Sequence, residues 1–358
     1  MSKPRVLIAG TGFGRAYLAA FERGDVDLAL AGILAAGSPR SQACAAYYSV
    51  PLWTTVEQIP NDVDLACVVI GGAMNGGPGP GLSQELMTRG LHVLQEHPLH
   101  PDELVTCLRK ATEAGVVFRM NTHYLHVEPV RRFIKTAQKL VRRQRPLYLD
   151  VTCAFQVLYT VFDILAEALG SIRPLGITGV LDDLPEAPYR TVAGRFAGVP
   201  MTFRLQNELA PADPDNYSHL FHRIIIGTEG GHLTLFNTHG PVLWSQRPHM
   251  PDDMKDLVRF ADCAAPPLSV PSVQHIGPVE GATYEEILRD LWPAATGRAM
   301  TAMWDAVQAG VGSQVHVQRH VTLTRLAMRI AQACGPVRLH HPVPPELLSL
   351  ADLVGPYR

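Results

Sequence analysis

The sequence predicts an α/β protein of two domains. Residues 1–121 should form a doubly wound parallel sheet, and residues 122–358 an α+β domain with a largely antiparallel sheet. Two observations carry this expectation. Through the first third, short apolar runs alternate with stretches of helical periodicity, the pattern of βαβ units whose strands are covered on both faces. Beyond about Asn121 the runs lengthen, take on strand character and are joined by short turns, as hairpins are.

Taken in order, Arg5 to Ala9 (RVLIA) is a first strand, followed by GTGFG and a helix over Arg15 to Arg23. Leu28 to Leu34, Asp64 to Ile70 (DLACVVI), Leu91 to Gln95 and Val116 to Met120 are further strands, with helices over Ser83 to Arg89 and Asp102 to Ala114. In such a sheet the ligand crevice lies at the carboxyl ends of the strands. A basic helix, Val127 to Arg143, leads into strands over Leu147 to Phe155, Gly176 to Leu181, Arg190 to Ala197, Met201 to Leu209, Arg223 to Gly227 and His232 to Asn237. Ala197-Gly198-Val199-Pro200 should close a hairpin. The Pro-rich stretch Ala264 to Pro271 reads as a surface connection, and the tail from Pro342 as chain draped over a domain.

Composition bounds the function. Of 358 residues 47% are hydrophobic and 18% charged, which fits a sizeable core and argues against disorder. A formal net charge of -2 argues against a general nucleic-acid binder. The six cysteines are scattered without a C-x-x-C pair, as reduced thiols would be. No apolar run approaches the roughly 20 residues that span a bilayer, and the N-terminus has no secretory pattern. A cytoplasmic protein that touches neither membrane nor nucleic acid is expected.

Gly10-Thr11-Gly12-Phe13-Gly14 follows a strand and opens a helix, the context a dinucleotide fingerprint requires. Gly10 permits the tight turn, and Gly12 lets backbone approach a pyrophosphate at the helix start. The third glycine of G-x-G-x-x-G would stand at position 15, which is Arg15, with Gly14 one place early. The first domain is therefore read as a Rossmann dinucleotide-binding domain with Gly10, Thr11, Gly12, Phe13 and Gly14 against the cofactor. The second strand ends without the Asp or Glu that would accept from a ribose 2′-hydroxyl. Ser38, Arg40 and Ser41 stand there instead, and a guanidinium with hydroxyls suits a 2′-phosphate. NADPH is the expected cofactor. A second Gly-rich piece, Gly71 to Gly79, follows DLACVVI and is either a backbone approach to a ligand or a plain loop.

The N-terminal fingerprint, an E-x-P near residue 97 and the strand-rich second domain with Ile226-Gly227-Thr228-Glu229-Gly230-Gly231 resemble the glucose-fructose oxidoreductase/inositol dehydrogenase/rhizopine (Gfo/Idh/MocA) family over most of the chain. That family carries Glu-Lys-Pro after the strand and Asp-x-x-x-His-x-x-Asp at a later helix. Here these read Glu96-His97-Pro98 and Gln156-x-x-x-Thr160-x-x-Asp163. Within the family, GTGFGRAYLAAF, LAAGSPRS, HVLQEHPLHPDEL and MNTHY are similar to thiazolinyl imine reductases of siderophore assembly lines of the yersiniabactin and pyochelin type. The resemblance implies NADPH-dependent reduction of a thiazoline C=N on an intermediate tethered to the carrier domain of a nonribosomal peptide synthetase. It places the catalytic roles on His97 and Tyr124. A homodimer is expected.

Imine reduction needs hydride at carbon and a proton at nitrogen. An imidazole near its ordinary 6.5 donates at neutral pH without a large shift, which a lysine near 10.4 does less readily. Tyr124 follows the last strand of the first domain, so it should share an edge with His97. Glu96 is read either as a cofactor contact or as a backbone cap. His100 is read as part of a helix entry. The pairs His219/His222 and His316/His320 lack a carboxylate or cysteine, so no metal site is expected. The basic run Lys139 to Arg145 is a solvated face or a dock for an acidic carrier domain. Two other functions stay open: a sugar or cyclitol dehydrogenase of the same family, and a non-catalytic NAD(P)-binding regulator like the family's galactose-regulon repressor.

Overall fold

The computed structural model describes residues 3–72, 77–181, 184, 186–212, 215–250, 252–254, 256, 258–259, 269–310, 314–339, 346 and 348–354. The expected surface connection at 264–271 falls largely outside the described residues, as do 342–345, 347 and 355–358 of the tail, in which Leu350–Val354 is a short exposed helix, and 73–76 of the glycine stretch after DLACVVI. The first domain runs β1 (Arg5–Ala9), α1 (Gly14–Ala20), β2 (Ala29–Leu34), α2 (Pro39–Tyr48), β3 (Leu52–Trp53), β4 (Leu65–Val68), α3 (Gly79–Thr88), β5 (His92–Glu96), α4 (Pro101–Ala114) and β6 (Phe118–Asn121). Its six strands pair all-parallel in the order β3-β2-β1-β4-β5-β6. This is the doubly wound order, with its crevice at the strands' carboxyl ends.

Burial on both faces explains the apolar runs. Along β1, Leu7 and Ala9 enter one hydrophobic cluster while Val6 and Ile8 enter another; along β4, Ala66 and Val68 part from Leu65 and Cys67 in the same way. A strand with two dry faces has no reason to alternate.

The second part runs α5 (Glu128–Val141), β7 (Tyr148–Ala154), α6 (Leu158–Leu169), β8 (Gly176–Val180), β9 (Tyr189–Phe196), β10 (Val199–Gln206), β11 (Glu208–Leu209), β12 (His222–Thr228), β13 (Gly231–Leu235), β14 (Val242–Gln246), β15 (Val273–His275), α7 (Tyr284–Glu286), α8 (Trp292–Gln308), α9 (Gln314–Cys334) and β16 (Arg338–Leu339). Eight strands make one sheet in the order β15-β14-β13-β12-β7-β10-β9-β8, antiparallel except for the β7–β10 pair. Here one face is dry. In β10, Val199, Met201, Phe203 and Leu205 point inward against Val161, Phe162 and Leu165 of α6, while Thr202 and Arg204 face out. The β9–β10 hairpin turns on Ala197 and Gly198, both at positive φ, as the two-residue turn that matches strand twist requires.

One helix returns across the expected boundary at residue 121. In α8, Ala299, Met300 and Met303 pack with Val6, Ile8, Tyr17 and Leu18, and Thr296 donates to the Ala16 carbonyl at 2.9 Å. The first domain's core is therefore completed by chain from 292–308. Among the described residues, no helix is long and apolar enough to cross a membrane, and the five described cysteines are free thiols.

Candidate active site

The glycine loop is shaped by what a side chain would meet at each glycine. At Gly10 (φ +95°) a Cβ would stand 2.7 Å from the Val69 carbonyl oxygen, so the turn crosses β4 too closely for any other residue. At Gly14 it would come within 3.3 Å of Ile8, so Gly14, not position 15, gives the close helix–strand packing expected of the third glycine. At Gly12 it would meet nothing within 4 Å. That open space beside the backbone at the start of α1 is the room a pyrophosphate needs, and the loop fits the cofactor.

At the end of β2 the backbone continues through Ala35 and Ala36 with no carboxylate, and Ser38 caps α2 by accepting from the Ser41 amide at 3.3 Å. Ser41 is buried and donates to the Ser38 carbonyl at 2.8 Å, a capping role. Arg40 is exposed on the first turn of α2.

The carboxyl ends of β5 and β6 gather the proton-bearing groups. Gln95 is wholly buried and ties β5 to the end of β4, donating to the carbonyls of Val68 (3.2 Å) and Ile70 (2.9 Å). Glu96 is buried too. One of its oxygens accepts from the Tyr17 hydroxyl and, at 3.2 Å, from Asn121 Nδ2; the other lies 3.4 Å from His97 Nε2 and 3.6 Å from His123 Nδ1. Glu96 is thus a hub of side chains and not a backbone cap. Burial pushes its pKa up, but His123, His97 and the Tyr17 hydroxyl outweigh that and hold it below the usual range. The His97–Pro98 peptide is cis. His100 caps α4, accepting from the Asp102 amide at 3.3 Å, which is the helix-entry role expected of it.

His97 and Tyr124 do meet. Their ring centres are 6.1 Å apart, with Tyr124 on the 3₁₀ turn His123–His126 directly after β6. One expectation is corrected. Burial drags the His97 imidazole down to about 4, with His123 adding to the effect and Glu96 opposing it, so an unshifted 6.5 does not hold.

Two imidazoles that pattern reading left unassigned stand in the same place. The His123 ring lies 4.0 Å from that of Tyr124 and 4.7 Å from that of Phe13 in the glycine loop. His222 arrives from β12, its Nε2 2.6 Å from the Thr160 hydroxyl and its Nδ1 2.9 Å from that of Thr238. Thr160 therefore removes the family's imidazole from α6 only for another to reach the same spot from the sheet. The signal for His123 was present in MNTHY; for His222 there was none, since its partner lies 62 residues away. Gln156 bonds the Ser218 hydroxyl. Asp163 accepts from Thr122 and pairs with Arg319 at 2.6 Å. His320 bonds the Tyr159 hydroxyl.

Known proteins divide along the same lines. Residues 4–122 match the model of an oxidoreductase family with an NAD-binding Rossmann fold, and residues 144–245 the model of the C-terminal region of Irp3-like thiazolinyl imine reductases. No curated protein matches the chain. Among solved structures, the chain is similar to UDP-N-acetylglucosamine 3-dehydrogenase GnnA from Acidithiobacillus ferrooxidans (16% identity, 93% of this chain and 98% of that one, TM-score 0.62). It is similar also to an oxidoreductase from Agrobacterium radiobacter in complex with NAD+, L-tartaric acid and magnesium (10%, 93% and 96%, 0.64). A third is a variant of KijD10, a 3-ketoreductase from Actinomadura kijaniata, in complex with TDP-benzene and NADP (12%, 95% and 99%, 0.63). At these identities the likeness is one of fold.

Residues 4–122, with their glycine loop, are those of an oxidoreductase that works with a nicotinamide cofactor. That part of the chain belongs with the Gfo/Idh/MocA oxidoreductases, and residues 144–245 of the second domain are Irp3-like.

Proposed function

We propose that the protein reduces the C=N bond of a thiazoline ring to a thiazolidine with NADPH, on an intermediate tethered to the carrier domain of a nonribosomal peptide synthetase. The observation that carries this reading is the meeting of His97 and Tyr124, 6.1 Å between ring centres, at the carboxyl edge of the nucleotide domain. The Irp3-like similarity over residues 144–245 supports it. NADPH, when bound, supplies hydride for the ring carbon. This chain supplies the proton. A nitrogen that takes up the electron pair of the C=N bond becomes a stronger base than phenolate, so the Tyr124 hydroxyl, ordinarily near 10, can donate to it. His97, with its pKa at about 4, is neutral at pH 7 in the free protein and serves to orient the nitrogen or to return the proton to Tyr124.

Alcohol oxidation needs a base for the hydroxyl proton, and the family's motif positions on α6 do not supply it: Gln156 cannot titrate, and His222, the imidazole beside Thr160, has both nitrogens against threonine hydroxyls. Preference for NADPH rests on Ala35, Ala36 and the exposed Arg40. Delivery by a carrier domain is supported by the exposed basic run Lys139, Arg142, Arg143 and Arg145, which would steer an acidic partner.

The test is turnover of a synthetic thiazoline mimic with NADPH. Tyr124→Phe should lower kcat by about 10²–10⁴-fold with cofactor affinity retained, since that is what a sole general acid contributes. His97→Ala should cost less, and the double variant no less than Tyr124→Phe. Wild-type rates in the double variant would remove both residues from the chemistry.

A further inference from the structure

We infer that His123 is a substrate-binding residue, whose Nε2 hydrogen-bonds a polar atom of the substrate beside the bond to be reduced. This rests on the reading of the site as an imine reductase and adds a residue to it. His123 is buried; its Nδ1 faces Glu96 Oε1 at 3.6 Å, while its Nε2 has no hydrogen-bond partner. Buried polar groups are nearly always satisfied, and a group left bare costs the full desolvation of that atom. His97 Nδ1 is likewise without a partner. Both nitrogens stand at the ends of β5 and β6, where Glu96, His97 and His123 bring their ligating atoms within 4.8 Å of one another. Unpaired groups gathered at a strand-end crevice mark the wall of a site that a bound molecule completes.

The position of the ring says which molecule. On one side His123 packs on Phe13 of the glycine loop, 4.7 Å between ring centres, which is the cofactor's side. On the other it stacks on Tyr124 at 4.0 Å and, loosely, parallel to His97 at 6.5 Å, while Tyr124 faces Phe221 and His222 of the second sheet. The imidazole therefore stands between the loop that takes the dinucleotide and the pair that protonates nitrogen. With Nδ1 turned to the Glu96 carboxylate, Nε2 is the nitrogen left for a ligand, an acceptor in the neutral ring and a donor in the charged one. A substrate with a polar atom next to its C=N would satisfy that nitrogen and hold the imine toward Tyr124.

Two variants separate the nitrogen from the ring. His123→Phe keeps a ring against Tyr124 and Phe13 but removes the polar nitrogen; His123→Asn keeps a hydrogen-bonding group and removes the ring. With wild-type protein first shown to reduce the thiazoline mimic, His123→Phe should raise KM by about ten- to a hundredfold, the value of one lost hydrogen bond in a dry site. NADPH affinity, measured by titration without substrate, should stay within about twofold of wild type, and His123→Asn should recover part of the loss in KM. An unchanged KM in His123→Phe, or a loss confined to NADPH affinity, would overturn the inference. No turnover by the wild type would fail the imine-reductase reading itself, and the inference with it.

Discussion

Lowering the pH should unfold this protein well before its carboxylates titrate, because it buries several histidines in neutral form. His97 and His320 are pulled down to about 4 and His222 to about 3, in each case chiefly by burial. An unfolded histidine titrates near 6.5. Above that pH neither state binds the proton and stability is intact. As pH falls from 6.5 toward 4 the unfolded chain takes up protons that the native state refuses, so stability is lost across that window and the loss is complete near the folded values. Each of the three sites then costs about 2 kcal/mol at pH 5 and about 3 kcal/mol at pH 4. His126 and His239, also drawn down to about 4 but partly exposed, act in the same direction with a smaller effect. Glu96 and Asp163, both held low, add their own loss only at more acid pH. A domain at the low end of ordinary stability, about 5 kcal/mol, should therefore cross into unfolding between about pH 6 and 5. The assay is urea unfolding by tryptophan fluorescence at half-unit steps from pH 8 to 5. Its informative quantity is the slope: uptake of three to five protons means stability falling by roughly 4–6 kcal/mol per pH unit around pH 5.3. A slope below about 1.4 kcal/mol per unit, one proton or fewer, would refute the claim that these imidazoles are neutral in the native state.

Two further outcomes are expected at the glycine loop and at the end of β2. Gly12→Ala should melt like the wild type, because its Cβ meets nothing, yet lose NADPH binding by calorimetry; Gly10→Ala, driven against the Val69 carbonyl at positive φ, should itself lose about 2–4 kcal/mol of stability. Retained cofactor binding in Gly12→Ala would show that the pyrophosphate lies elsewhere. Arg40→Ala should weaken NADPH by about ten- to a hundredfold and leave NADH affinity unchanged, the loss of one charge-assisted contact. Equal weakening of both cofactors would remove Arg40 from the 2′-phosphate.

What the sequence made visible follows from which strands are dry. β1, β2, β4, β5 and β6 are buried on both faces or nearly so, and each showed as an apolar run. β3 has two residues, too few to make a pattern, though Trp53 packs over Gly32 of β2. β14 and β15 were missed because short strands half in water have little to alternate. The return of α8 to the first domain could not be read at all. Periodicity shows that a helix has an apolar face and is silent about which sheet that face will meet.

The same distinction governs the site. His97 and Tyr124 were legible because each stands where a strand of a doubly wound sheet ends, and that topology makes neighbours of residues at adjacent strand ends. Position along the chain thus predicted proximity, but it could not predict environment. The imidazole of His97 was expected to behave as it does in water, whereas packing by Glu96, His123 and Tyr159 takes it out of water and moves its pKa to about 4. Motif reading had the complementary blind spot. It registered Thr160 as a lost imidazole, since a motif records which residue occupies a helix position and not what another element brings there. His222, delivered by β12 to within 2.6 Å of that threonine, fills the space but spends both nitrogens on hydroxyls. An imidazole thus stands beside the helix position where the family has one, with both nitrogens against hydroxyls and its pKa drawn down to about 3 by burial. Under the proposed imine reduction the pocket has to give a proton rather than take one, and no base is needed at that spot.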